Sequence, residues 1–173
     1  LINYNLEKFN RVVSHTVITG CQDLLSIVDE ICKLKYRNGT LFLIGNGGSN
    51  AIISHVAVDI INAYGVKVNP LTDSSLITCI ANDFEYKNVF SRVLQKTMTK
   101  EDILLAVSSS GQSKNIVNAV LATKTLGAKV ITFTGFSKEN PVRELGDYNV
   151  WLDSDNYMIV ETGHSFLLHL LVQ

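Results

Sequence analysis

Apolar and polar positions alternate along this chain with two different periods. From about Tyr4 to Tyr36 apolar residues recur at helical spacing: Val12, Val13, Val17, Ile18, Leu24, Leu25, Ile27, Val28, Ile31 and Leu34. This predicts one long helix or two, ending near Asn38-Gly39. A short unbroken apolar run, Leu41-Phe42-Leu43-Ile44, then meets Gly45-Asn46-Gly47-Gly48-Ser49 and a helical stretch to about Tyr64. Further strands are expected at Val66–Leu71, Ile103–Val107, Lys129–Thr134 and Asn149–Leu152. Helices are expected at Ser75–Ala81, at Tyr86–Thr97, from Ser113 to a stop at Gly127, and from Tyr157–Glu161 onward. The two prolines, Pro70 and Pro141, fall where strand ends or loops are expected.

Short buried strands alternating with helices of about a dozen residues indicate βαβ units and a parallel sheet. Strands that are apolar throughout, without alternation, belong to a sheet covered on both faces. The expected architecture is therefore α/β, with helices on both sides of a parallel sheet. In such folds ligands collect at the carboxyl ends of the strands. The loops Gly45–Ser49 and Ser108–Ser113 both follow strands and precede helices, so they can share that edge.

Composition narrows the classes. At 173 residues one domain suffices, with enough chain for a core that needs no disulfides. Net charge is −1, which gives no electrostatic footprint for nucleic acid or an anionic membrane, so any phosphate binding must be local. Three scattered cysteines, Cys21, Cys32 and Cys79, form neither a metal motif nor a disulfide framework, and fit a reducing cytoplasm. No apolar run is long enough to span a bilayer. The chain starts at Leu1 and stops within an apolar pattern, as a sequence trimmed at both ends would.

Ser108-Ser109-Ser110-Gly111-Gln112-Ser113 offers four hydroxyls and several backbone N–H groups just ahead of a helix. That is a suitable cradle for a phosphate monoester. It is equally a polar turn with Ser113 as helix cap; its place after a buried strand favours binding. Neither loop is a Walker motif, and Gly45–Ser49 departs from the dinucleotide fingerprint.

His55 and Asp59 lie four apart on one helix face, and Glu161, His164 and His169 lie on or before the last helix. Such a set can hold a divalent transition metal such as zinc, or move protons through an enediol in aldose–ketose isomerisation. It can also be no more than a surface His–Asp pair with His169 as a core histidine among leucines. On one continuous helix Glu161 and His169 are separated by about 12 Å of rise. They can share an ion only if Glu161 precedes the helix or the two come from different subunits; His164 is the easier same-chain partner. Asp83 either binds substrate hydroxyls or caps the helix that follows.

The segments GNGGSNAIISHVAVDI, IANDFEYKNVFSR, LLAVSSSGQSKNIVNAV, KVITFTG and IVETGHSFLLHLL, in this order, resemble the sugar isomerase (SIS) domain family, and within it the bacterial phosphoheptose isomerases. The resemblance runs from about residue 40 onward, with helices expected before the first strand. It implies a single SIS domain over 1–173: a three-layer αβα sandwich on a five-stranded parallel sheet, assembled as a homotetramer with interfacial active sites. It implies conversion of sedoheptulose 7-phosphate to D-glycero-D-manno-heptose 7-phosphate for lipopolysaccharide or capsule. By resemblance, Asn46, Gly47, Gly48, Ser49, Asn82 and Asp83 touch the substrate, and Ser108, Ser109, Ser110 and Ser113 hold its phosphate. His55, Asp59, Glu161 and His169 fall at the zinc ligands, Asp59 and Glu161 also meet substrate, and Asp59 with His169 forms the catalytic pair. Three positions depart from the usual pattern: Asp59 for Glu, Glu161 for Gln, and Ala63 for Arg. Some proteins of this fold instead bind phosphosugars as regulators or serve as adaptors; the retained carboxylates and histidines favour an enzyme.

Overall fold

The computed structural model describes residues 2–173. The N-terminal apolar pattern forms one helix, α1 (Ile2–Lys33), rather than two. The chain continues through β1 (Thr40–Gly45), α2 (Gly48–Tyr64), β2 (Lys67–Pro70), α3 (Ser74–Phe84), a 3-10 turn (Tyr86–Asn88) and α4 (Ser91–Thr97). Then come β3 (Ile103–Ser108), α5 (Lys114–Thr125), β4 (Lys129–Thr134), α6 (Pro141–Leu145), β5 (Tyr148–Trp151) and α7 (Tyr157–Leu170).

The five strands are all parallel, in the order β2-β1-β3-β4-β5. Successive residues of the apolar runs feed opposite cores, as a two-residue side-chain period requires. Leu41 and Leu43 of β1 join Leu105 and Val107 of β3 under Ile27 and Ile31 of α1, Ile53 and Ile60 of α2, and Leu167 of α7. Phe42 and Ile44 join Leu104, Ala106 and Val130 under Phe90, Leu94, Ile116, Val120 and Val142. Each such side chain, fully buried, contributes about 1.5–3 kcal/mol. This is the expected three-layer αβα sandwich. Among the described residues, no helix is long and apolar enough to cross a membrane.

Two expectations about elements need correction. The helix expected over Tyr86–Thr97 is divided into a 3-10 turn, Tyr86–Asn88, and α4; Glu85, at φ 69°, separates that turn from α3. Pro141 does not lie in a loop; it opens α6, with Asn140 as its cap accepting from the Arg143 N–H at 2.9 Å. Asn-Pro ahead of a helical turn is a recognisable start signal.

Candidate active site

β1 and β3 are neighbours in the sheet, yet the chain leaves β1 toward β2 and leaves β3 toward β4. Their carboxyl ends therefore flank the point where the strand order reverses, where a crevice opens in folds of this kind. A cavity of about 150 Å³ lies there, lined by Asn46, Ser49, Val107, Ser108, Ser109, Ser110, Ser113, Tyr157 and Glu161. Both loops singled out from the sequence contribute to it.

Three helices begin at this cavity: α2 at Gly48, α5 at Lys114 and α7 at Tyr157. Their first N–H groups have no partners within the helix and carry the positive end of the dipole. Ser113 is the cap position of α5, but its side chain makes no capping bond among the described residues, so its hydroxyl stays available. The Ser109 hydroxyl is buried without a partner among the described residues. None of the described residues lining the cavity is cationic. The described lining thus offers neutral hydroxyls and helix ends, with Glu161 as its charged member.

The serine loop is held from below. Gly111 has φ 62°, and an added Cβ would stand 1.8 Å from Asn140 Oδ1. Its carbonyl accepts from the Val142 N–H at 3.2 Å, and the Ser109 carbonyl accepts from the Gly135 N–H at 3.0 Å. Asn140, fully buried, donates to the Ser137 carbonyl at 2.7 Å. The loop's shape thus depends on the β4–α6 connection, which drew no attention in the sequence.

Farther along α2 and α7 a second constellation forms. His55 Nε2 lies 3.6 Å and His169 Nε2 3.8 Å from the same oxygen of Asp59, and the two rings are 5.3 Å apart. One ligand atom from each residue lies within 4.8 Å of the others. His169 Nδ1 sits 2.6 Å from the Ser165 carbonyl. That contact places the proton on Nδ1 and leaves the Nε2 lone pair facing Asp59, the orientation found in metal-bound or proton-accepting imidazoles. Two imidazole nitrogens and a carboxylate this close together form a group that can hold a metal ion.

Glu161 does not join this trio. It lies within α7, so the eight residues to His169 amount to about 12 Å of rise. Its carboxylate packs instead against Gly48, where an added Cβ would come within 2.8 Å of Oε2. The two histidines of α7 also exchange the roles their neighbours suggested. His164 is the core histidine: fully buried, it donates from Nε2 to the Thr134 carbonyl at 3.1 Å and meets the edge of Phe133. Burial pushes its pKa down to about 4, outweighing the opposing effect of that hydrogen bond. His169 is the half-exposed member of the trio.

Asn82 and Asp83 lie in the last turn of α3, where the Asn82 amide donates to the Asp83 carboxylate at 2.9 Å. Asp83 is therefore inside a helix rather than capping the next one. It borders a separate groove with Phe84, Asn88 and Arg92. Gly47 and Gly48 open α2 at the cavity's rim, Gly47 with φ 52°. Two residues missing from the sequence reading reach the site: Tyr86 donates to Asn46 Oδ1 at 3.0 Å, and Asn115 exchanges hydrogen bonds with Asn46. Nothing in residue type alone distinguished them.

Residues 5–135 match the SIS domain family. A phosphoheptose isomerase of Glaesserella parasuis serovar 5 is 33% identical over 161 residues, covering 87% of this chain and 83% of the relative. One from Campylobacter concisus is 31% identical across the whole of this chain and 94% of its own length. Among solved structures, the phosphoheptose isomerase GmhA of Neisseria gonorrhoeae superposes with a TM-score of 0.90 over 99% of this chain and 94% of that one. At 23% identity that likeness establishes the fold.

Proposed function

This chain belongs to the SIS domain family, and from that premise we propose that it is a ketose–aldose isomerase acting on sedoheptulose 7-phosphate, with D-glycero-D-manno-heptose 7-phosphate as product. The observation that carries this reading is the pairing of an oxyanion cavity with a proton-handling trio on the same two helices, α2 and α7.

The phosphate docks in the serine cavity, on the hydroxyls of Ser108, Ser109, Ser110 and Ser113 and the N-termini of α2 and α5. Asn46, Gly47, Gly48 and Ser49 border the adjoining part of the substrate, and Asn82 and Asp83 reach its hydroxyls at a subunit boundary. Asp59 moves the proton between the two carbons of the enediol, and His169 Nε2 serves the neighbouring oxygens. His55, Asp59 and His169 would hold a zinc ion, which would supply Lewis-acid polarisation of a carbonyl oxygen. Shortening Glu to Asp at position 59 withdraws the carboxylate by one methylene, and the 3.6 and 3.8 Å contacts show that it still meets both histidines.

Glu161 completes the set from another subunit of a homotetramer. Val58 and Ile61 on α2, and Phe166 and Leu170 on α7, are large apolar residues left exposed on the helices that carry the trio. Ile18 and Leu25 give α1 a second apolar face as well. Such surface is characteristic of a subunit interface. In that assembly the serine cavity of one chain, with its Glu161, faces the His55–Asp59–His169 trio of its neighbour, and substrate spans the two. The setting is cytoplasmic, and the product supplies heptose for lipopolysaccharide or capsule.

Incubation of the purified protein with sedoheptulose 7-phosphate, followed by NMR, tests the reading. Conversion to the aldose phosphate is expected, with none for unphosphorylated sedoheptulose. Asp59→Asn is expected to slow it about a thousandfold. An unchanged heptulose signal, with and without added zinc, would refute it.

A further inference from the structure

Asn46, on the turn between β1 and α2, presents a side chain whose hydrogen-bonding capacity is almost used up. Its Oδ1 accepts from Asn115 Nδ2 at 2.8 Å and from the Tyr86 hydroxyl at 3.0 Å. Its Nδ2 donates to Asn115 Oδ1 at 3.0 Å. A carboxamide oxygen has two lone pairs and its nitrogen two hydrogens. Three of those four positions are engaged, which fixes the plane of the Asn46 amide beside the cavity that it lines.

Both partners are braced by α5, the helix whose N-terminus faces the same cavity. Asn115 lies in its first turn and is 2% exposed. One turn on, Asn118 donates to the Lys87 carbonyl at 3.0 Å and to Asn88 Oδ1 at 3.4 Å, which fixes the 3-10 turn carrying Tyr86. The Asn46–Asn115 pair is reciprocal and a phenol hydroxyl both donates and accepts, so the three groups hold the amide in place whichever way it faces.

We propose that Asn115 and Tyr86 are positioning residues that lock the Asn46 carboxamide at the cavity wall, where its remaining hydrogen-bonding position meets the phosphate. Without the lock the side chain is free to swing away from the phosphate. The proposal rests on the serine cavity being the phosphate site.

The test is a calorimetric titration of the full-length protein with inorganic phosphate, alongside KM and kcat for sedoheptulose 7-phosphate. Variants are Asn115→Leu, which keeps volume and neutrality, and Tyr86→Phe, which removes one hydroxyl from an exposed ring and so leaves the fold intact. Each is made alone and in an Asn46→Ala background. Each single change is expected to weaken phosphate binding and raise KM about five- to tenfold, with kcat little changed. In the Asn46→Ala background neither is expected to have a further effect, because the two act through Asn46. Equal weakening with and without Asn46, or none in the single variants, overturns the lock. Failure of the wild-type protein to bind phosphate at all overturns the underlying site instead.

Discussion

His164 and His169 stand five residues apart on α7 and show how far environment outweighs residue type. His169 keeps water on one side and a carboxylate on the other. His164 has lost its water, and its pKa falls to about 4 from an unfolded value of 6.5. The unfolded chain therefore takes up the proton first. Stability from a neutral His164 is complete above pH 6.5 and is lost as pH falls toward 4, by about 3 kcal/mol across the window. Urea unfolding at pH 7 and pH 4.5 should show this loss, and His164→Phe should flatten that part of the profile. From sequence the two residues looked interchangeable, and the leucines around His169 pointed the wrong way. Their assignment depends on helix phase: Val160, His164, Leu167 and Leu168 share the buried face of α7, and His169 falls beyond it. The His55–Asp59 pair was legible because four-residue spacing fixes a shared face; its meeting with His169 depends on how α2 packs on α7, and only the family resemblance pointed to it.

Elements were easier to read than residues. Continuous apolar runs gave β1 and β3, shorter or mixed runs gave the other strands, and the glycine and serine loops after β1 and β3 were placed correctly at one sheet edge. Their support was invisible. The serine loop keeps its shape because Asn140, capping a five-residue helix, fills the space beside Gly111. A helix that short carries too little periodicity to stand out. Gly111→Ala would put a Cβ 1.8 Å from Asn140 Oδ1 and force an L-residue to φ 62°. It should cost about 2–4 kcal/mol, from backbone strain and displacement of a buried amide. Thermal unfolding would register a lower Tm, and phosphate affinity should fall with it. Unchanged stability would mean that the loop does not depend on this packing.

At the scale of the whole molecule, the fold alone leaves the chemistry divided. The carboxylate of Glu161 belongs to the serine-lined cavity of its own chain, about 12 Å of helix from His169. Val58, Ile61, Phe166 and Leu170, on the two helices that carry the trio, are exposed. Both facts find one explanation in a site made from the cavity of one subunit and the trio of another. A direct test uses two variants, Asp59→Asn and Glu161→Ala, each expected to be nearly inactive on sedoheptulose 7-phosphate alone. Unfolded together in equal amounts and refolded, they should form hybrids in which about one site in four draws both halves from intact chains. Recovery of about a quarter of wild-type turnover is the predicted result; turnover that stays at the level of the separate variants would contradict it.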